Sequence, residues 1–153
     1  MNPGSATGAG FALHPQLAAD THPIGELPLC RVLLMDDARF LWCLLVPRRA
    51  GVREIHELPE SDRRQLWDES HRLTLAMRAV RTGDKFNLAA LGNQVPQLHL
   101  HHLWRRVGDT AWPAPVWGTG QAIPYAAATA TALCRRLWRQ LTDAAAVSHR
   151  KAP

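Results

Sequence analysis

The stretch QVPQLHLHHLWRR, residues 94–106, places three histidines within four consecutive positions. Its polar and apolar residues alternate, which is typical of a β-strand whose successive side chains point to opposite faces. On such a strand Gln97, His99 and His101 share one face, with neighbours about 7 Å apart. His102 lies on the opposite face among apolar residues. The pattern therefore indicates a His-x-His pair on a polar face and one histidine directed toward the core.

Two imidazoles at this spacing suit two kinds of chemistry. They could bind zinc or iron together with a third ligand, such as His22, His56 or an aspartate, from elsewhere in the chain. Alternatively, a neutral imidazole whose other nitrogen is held protonated can attack phosphorus, while the next histidine donates to a phosphate oxygen. Two solvent-facing histidines without a chemical role are the third interpretation, so the motif alone leaves the function open.

Length and composition indicate a single domain. The chain has 153 residues, of which 46% are hydrophobic and 20% charged, as is ordinary for a globular protein. No apolar run approaches the roughly 20 residues that span a bilayer. The N-terminal sequence lacks the basic start and apolar core of a signal peptide, so we expect a cytoplasmic location. Three widely spaced cysteines without a CxxC motif favour reduced, buried thiols: Cys30, Cys43 and Cys134.

The positive charge favours an anionic ligand over a nucleic acid partner. The net charge is +5 and the isoelectric point is near 9.9. The arginines are spread over several segments, and no RNP-like, zinc-finger or basic-zipper pattern accompanies them. We therefore assign most of the arginines to solvent-exposed surfaces and expect a single pocket for an anion.

The segments around the histidines predict further strands. Residues 12–29 contain three prolines and a glycine, and we expect irregular chain there with one short strand at most. Two apolar runs, residues 30–37 and 40–49, flank a short polar turn and predict a β-hairpin. Residues 85–93 predict another strand that runs into a turn. We expect a flexible N-terminus at 1–10, one domain over 11–147 and a tail at 148–153.

Two helices complete the predicted architecture. The first begins near Pro59 and has Gly83 as its expected C-terminal cap; its inner face carries Leu66, Ser70, Leu73, Met77 and Val80. The second begins at Pro124, and its inner face carries Ala126, Ala130, Leu133, Leu137 and Leu141. Because strands and helices do not alternate, this order predicts an α+β domain with an antiparallel sheet.

This order of elements around the histidines resembles the histidine triad (HIT) superfamily of nucleotide hydrolases and transferases. The family's active-site strand reads His-φ-His-φ-His-φ-φ, where φ is apolar, and QLHLHHL is similar to it as a Gln-x-His-x-His variant. The hairpin RVLLMDDARFLWCLLVPRR, the long helix, the strand KFNLAALGN and the later AWPAPVWG also follow the family's order. The resemblance spans roughly residues 30–118. It implies an antiparallel sheet of about five strands with one central and one C-terminal helix.

The resemblance implies catalytic roles for three residues. His99 matches the nucleophile that takes up a nucleotide's α-phosphate, and His101 matches the histidine that contacts the phosphate. Gln97 stands at the first histidine of the signature; its amide cannot titrate but can hydrogen-bond to neighbours or to a ligand. Relatives often carry a histidine near Trp42, so we expect a supporting catalytic hydrogen bond to be lost here. His102 replaces an apolar residue, and an inward position requires it to be neutral and hydrogen-bonded.

Four further residues are expected to bind the nucleotide. Asp36 matches an acidic or amide residue that binds ribose hydroxyls in relatives, with Asp37 as the alternative. Asn93 and Gln94 lie in the turn that contacts the leaving-group phosphate in the family. Trp112 matches a tryptophan that precedes a proline and closes the active site near the subunit boundary.

These assignments imply an enzyme that acts at the α-phosphate of a dinucleoside polyphosphate or a nucleoside phosphoramidate, through a nucleotidyl-histidine intermediate. No metal cofactor is implied, although Mg²⁺ can accompany a polyphosphate substrate, and a homodimer is expected because relatives are commonly homodimers. Two alternatives stay open. One is a nucleotide-binding module with weakened catalysis, which Gln97 and Trp42 favour. The other is a metal-binding protein built on His99 and His101.

Overall fold

A computed structural model of the chain describes residues 10–148, with side chains up to Asp143. Its elements are α1 Pro15–Asp20, β1 Thr21–Glu26, β2 Cys30–Met35, β3 Leu41–Pro47, α2 Glu60–Val80, β4 Lys85–Ala89, β5 Leu100–Arg105 and α3 Ala127–Ser148. The predicted flexible N-terminus and tail fall outside the described residues, apart from Gly10 and Ser148. Within residues 10–148, no helix is long and apolar enough to cross a membrane.

The five strands form one antiparallel sheet in the order β1-β2-β3-β5-β4. This arrangement confirms the predicted α+β class and the hairpin, whose strands β2 and β3 pair over Cys30–Leu34 and Cys43–Pro47. The segment before the hairpin is more regular than expected, because it forms both α1 and β1. Its prolines are compatible with these elements: Pro15 stands in the first turn of α1, and Pro23 lies on an edge strand.

Both faces of the central strands are covered. Helices α2 and α3 pack against each other, and their buried residues form one core with the sheet; these include Leu66, Leu73, Met77, Leu137 and Leu141. A second core on the opposite face joins β3 and β5 to the N-terminal segment and the loop before α3. All seven residues of β3 are therefore buried, which explains its continuous apolar sequence.

Inward positions of the helices were largely predicted, with a few differences, among them the burial of Ala76 on α2. Ala126 is exposed and precedes α3, while Cys134 faces inward. On α2, Glu69 is also buried, and its carboxylate accepts hydrogen bonds from the N–H groups of Leu29 and Cys30, both at 2.8 Å. These bonds compensate for the burial of the charge and tie α2 to the start of β2.

The cysteines are reduced and buried, as expected. Cys30, Cys43 and Cys134 are free thiols. Burial raises the pKa of all three, and for Cys30 the nearby Glu69 carboxylate raises it further. None of them has the lowered pKa of a reactive thiol, so their role is packing.

The prediction that Gly83 caps α2 is wrong. The helix ends at Val80, and its C-cap residue is Arg81 in an extended conformation, with φ −158°. A Cβ on Gly83 would lie 2.3 Å from the carbonyl oxygen of Arg105. The glycine is therefore required for the close approach of the chain before β4 to the end of β5.

Candidate active site

An open cavity of about 540 Å³ lies beside the start of β5. Its volume is in the range of small-molecule sites. Four of the predicted site residues line it: His99, His101, Asn93 and Gln94. The structure therefore brings the His-x-His pair and the preceding turn together at one surface.

His99 immediately precedes β5, and only 6% of its surface is exposed. Its Nδ1 lies 2.7 Å from the backbone oxygen of Gln97. Because a carbonyl oxygen can only accept, Nδ1 carries the proton and donates it to this bond. Nε2 is then the nitrogen with the free lone pair, as a nucleophilic imidazole requires.

His101 has the opposite tautomer. The indole Nε1–H of Trp42 donates to its Nδ1 over 3.0 Å. An indole nitrogen can only donate, so Nδ1 of His101 accepts and the proton lies on Nε2. The expectation that Trp42 leaves the site without a supporting hydrogen bond is therefore wrong, because the tryptophan supplies one. The imidazole centroids of His99 and His101 are 4.8 Å apart, so the two rings are adjacent in the lining of the cavity.

The surroundings of His101 keep it neutral. Burial lowers its pKa to about 3, and the neighbouring His99 and His102 lower it as well. The rings of Trp117 and Trp42 contribute to this burial, with centroids 5.1 Å and 5.5 Å from that of His101. At neutral pH His101 is thus a neutral hydrogen-bond donor.

Replacing Trp42 tests the assignment of the tautomers. In Trp42→Phe the aromatic packing is largely kept, but Nδ1 of His101 loses its donor and both tautomers become populated. We expect the fraction of His101 that carries its proton on Nε2 to fall, because the indole N–H no longer holds the lone pair on Nδ1. The ¹⁵N shifts of the His101 imidazole measure this fraction. Trp42→His, which restores a ring N–H, is the matched control, and an unchanged tautomer in Trp42→Phe would contradict the assignment.

His102 is directed away from the cavity and is fully buried, as the alternation predicted. Its Nδ1 lies 3.2 Å from the backbone oxygen of Leu100 and its Nε2 lies 2.7 Å from Oγ of Ser70 on α2. The carbonyl requires the proton on Nδ1, so Nε2 accepts from the serine hydroxyl. Burial lowers the pKa of His102 to about 4. This histidine is therefore neutral and fully hydrogen-bonded, and it fastens β5 to α2.

The two buried histidines predict how stability depends on pH. Their pKa values in the folded chain, about 3 for His101 and about 4 for His102, lie below the 6.5 of an unperturbed histidine. Between pH 6.5 and 4 the unfolded chain binds protons that the folded chain does not, so stability falls as the pH falls. Near pH 5 we expect a loss of roughly 1 kcal/mol per pH unit for each histidine.

Urea unfolding at pH 7, 6 and 5 measures this dependence. The variant His102→Gln should lose about half of the slope, whereas the exposed control His71→Gln should keep all of it. Equal slopes for the wild type and His102→Gln would contradict the assignment.

Gln97 is not among the residues that line the cavity. Its Oε1 accepts from the backbone N–H of His14, and its Nε2 donates to the backbone oxygen of Ala12, both at 2.9 Å. The sequence left open whether this amide binds neighbouring residues or a ligand, and in the structure it binds the backbone of the N-terminal segment. Gln97 thus holds the N-terminal segment against the histidine strand.

Asp36 lines an adjoining cavity of about 460 Å³ that shares Trp42 and Trp117 with the first. Its carboxylate lies 2.9 Å from Nε2 of His22 and accepts from the N–H of Tyr125 at 2.8 Å. These two partners lower its pKa, so it stays ionised. Asp37, the alternative, lines the same cavity, but its two carboxylate oxygens accept from Nε and Nη2 of Arg39.

The structure does not bring Trp112 to either cavity. Its ring lies over the guanidinium of Arg105, 5.9 Å from the centroid, and Arg105 is itself held by Asp109. Trp117 of the same loop lines both cavities instead. Both tryptophans lie within two residues of a proline in this loop, so the sequence gives no local signal that separates them.

A metal centre has no complete ligand set in the part of the chain that the structure describes. There, no group of three or more histidine, cysteine, aspartate or glutamate side chains lies close enough to hold a metal ion. The third ligand that the metal-binding hypothesis requires for His99 and His101 is therefore not supplied by the described side chains.

Comparison with known proteins decides the family. The family model of the HIT domain matches residues 16–108, which is well over half of the chain and includes His99 and His101. The chain belongs to the histidine triad family. Among solved structures, a histidine triad protein from Marinobacter aquaeolei VT8 is 50% identical with a TM-score of 0.83, over 87% of this chain and 97% of that chain.

Further relatives extend the comparison. A histidine triad protein from Bradyrhizobium japonicum is 44% identical with a TM-score of 0.84, over 87% of this chain and 99% of that chain. A hypothetical histidine triad nucleotide-binding protein from Sulfolobus tokodaii shares the fold at 13% identity, with a TM-score of 0.60 over 80% of this chain and 85% of that chain. No protein of curated function matches the chain. The family model and the related structures confirm the resemblance to the histidine triad superfamily that the sequence indicated.

Proposed function

We propose that this histidine triad protein is a nucleotide hydrolase or transferase that acts at the α-phosphate of a dinucleoside polyphosphate or a nucleoside phosphoramidate. The observation that carries the proposal is the pair of opposite tautomers in one cavity. His99 presents a lone pair on Nε2, and His101 presents an N–H on Nε2. A nucleophile beside a hydrogen-bond donor is what displacement at phosphorus requires.

The proposed reaction has two displacements. In the first, Nε2 of His99 forms a bond to the α-phosphorus, and the bond from phosphorus to the leaving phosphate or amine breaks. The leaving group departs with the electron pair, and an amine takes up a proton from water as it leaves. In the second, water attacks the phosphorus, the bond to His99 breaks, and the mononucleotide and a proton are released. The lone pair of His99 is thereby restored.

His101 is proposed to stabilise the charge on the phosphoryl oxygens in both steps. Its pKa, lowered to about 3, means that it acts as a neutral donor and does not give up a proton at neutral pH. The exposed amides of Asn93 and Gln94, on the same cavity, are proposed to bind the leaving-group side. The ionised Asp36 in the adjoining cavity is proposed to accept hydrogen bonds from ribose hydroxyls.

A nucleotide-binding module with weak catalysis is the second candidate function. Its support is Gln97, which stands where the family signature has a histidine and whose amide is occupied by Ala12 and His14. If no other residue replaces that histidine, product release or proton delivery to the leaving group becomes slow. This candidate predicts binding without useful turnover.

Release of AMP from adenosine phosphoramidate and from diadenosine tetraphosphate distinguishes the two candidates. The enzyme predicts steady AMP release from at least one of these substrates. The binding module predicts that AMP raises the Tm of the protein while neither substrate is consumed. If AMP neither raises the Tm nor is released, both candidates fail.

A further inference from the structure

The N-terminal segment forms one wall of the cavity. His14, Gln16, Leu17 and Asp20 line it. The segment is anchored at three levels: Gln97 binds its backbone at residues 12 and 14, Leu17 is buried, and Phe11 and Leu13 pack against the second core. The wall is thus a fixed part of the folded domain.

His14 is the imidazole that this wall adds to the site. Its side chain is half-buried and lines the same cavity as His99 and His101. Its Nδ1 accepts a hydrogen bond from the backbone N–H of Gln16 at 3.1 Å. A backbone N–H can only donate, so Nδ1 carries the lone pair and the proton lies on Nε2. The nitrogen that remains available to a ligand is therefore a donor.

Gln97 and His14 are linked directly. Gln97 stands where the family signature has its first histidine. Its side-chain oxygen accepts a hydrogen bond from the backbone N–H of His14. The residue that cannot titrate thus places a histidine from elsewhere in the chain at the cavity. His14 precedes the residues matched by the family model, so the family pattern assigns it no role.

We propose that His14 is a third phosphate-binding imidazole, which donates from Nε2 to the phosphoryl oxygens of the nucleotidyl substrate, and that Gln97 is the positioning residue that holds it. The inference rests on the proposed function for the class of ligand. In the Gln-x-His-x-His motif of this chain, the N-terminal segment then supplies the third imidazole that Gln97 does not. No proton transfer is assigned to His14, since its Nδ1 is occupied as an acceptor.

The variant His14→Asn separates this role from packing. Asparagine keeps an acceptor for the N–H of Gln16, and it is a preferred residue at a helix N-cap, so the fold should be retained. Its shorter side chain does not reach the position of Nε2. We expect kcat to fall by about 10- to 100-fold, which is less than for an enclosed donor because the side chain is half-buried. KM should rise by no more than the affinity for AMP falls, and Tm should change little. His56→Asn, at an exposed position away from the cavity, is the control and should match the wild type.

The role of Gln97 is tested by a double-mutant cycle. Gln97→Ala alone should lower kcat, because the segment that carries His14 is loosened. In the His14→Asn background the same change should cost little further kcat, since the residue it positions is already absent. Additive losses in kcat would show that Gln97 acts independently of His14 and would overturn the positioning role.

The affinity for AMP keeps this inference separate from the proposed function. If the wild type turns over no substrate, the proposed enzyme fails, but His14→Asn should still weaken AMP binding by about 5- to 10-fold in calorimetry. If the wild type is active and His14→Asn keeps kcat within twofold, the role of His14 is overturned while the proposed function stands. An unchanged affinity for AMP in an inactive wild type overturns the role as well.

Discussion

His99→Ala is expected to reduce turnover by at least about 10³-fold, because Nε2 of His99 is the atom proposed to bond to phosphorus. No other residue in the proposed reaction supplies this bond. His99 lines the cavity, so water can fill the space that its loss leaves, and the Tm should change by only a few degrees. AMP release under saturating substrate, with a thermal melt of each variant, measures both quantities.

Two controls sharpen this result. His71→Ala removes a histidine that is exposed on α2 and should leave turnover unchanged. Added imidazole should restore part of the activity of His99→Ala, because the free base can occupy the vacated space and attack in its place. Turnover that persists in His99→Ala without imidazole would mean that the nucleophile is another group.

His101→Ala is expected to lower kcat by about 10²- to 10³-fold, as for the loss of one donor to a developing phosphoryl charge. KM should change less, because the donor matters most in the transition state. His101→Gln keeps an N–H on a side chain of similar reach and should recover part of the loss. The comparison of kcat with KM for the two variants measures the effect.

His101→Ala also removes the acceptor of the buried indole N–H of Trp42, which costs about 1–3 kcal/mol of stability. Kinetics are therefore measured well below the Tm of each variant. If His101→Ala keeps the wild-type kcat, the donor role is contradicted. If the glutamine variant is no better than the alanine variant, a hydrogen bond from this position is not what matters.

The faces of the histidine strand were predictable because alternation is a local property of a β-strand. It separated His99 and His101 from His102 and required a neutral, hydrogen-bonded His102, which the structure confirms with Ser70 as partner. The partner itself was not predictable, because it lies on α2, 32 residues away in the sequence. Helical spacing had already placed Ser70 on the inner face of that helix.

The role of Trp42 depended on strand pairing that a single sequence does not specify. In the register of β3 and β5, Trp42 stands opposite Leu103 and its indole reaches the diagonal neighbour His101. Side chains of this size span the diagonal distance. From the sequence alone, the same tryptophan was interpreted as the loss of a hydrogen bond.

Contacts between distant segments account for the remaining differences. The bonds from Gln97 to Ala12 and His14 span 85 and 83 residues, and no periodicity in either segment predicts them. The choice between Trp112 and Trp117 is of the same kind, since it depends on how a proline-rich loop folds back over β3. The site is thus predictable where one strand builds it and unpredictable where loops complete it.

Whether His99 is the nucleophile is tested by the mass of the intact protein after brief mixing with adenosine phosphoramidate, followed by peptide mapping under mild conditions that preserve a phosphorus–nitrogen bond. We expect a transient mass increase of one adenylyl group, located on His99 and absent from His99→Ala. AMP release with no adduct at any mixing time, or an adduct located on another residue, would contradict the proposal that His99 is the nucleophile.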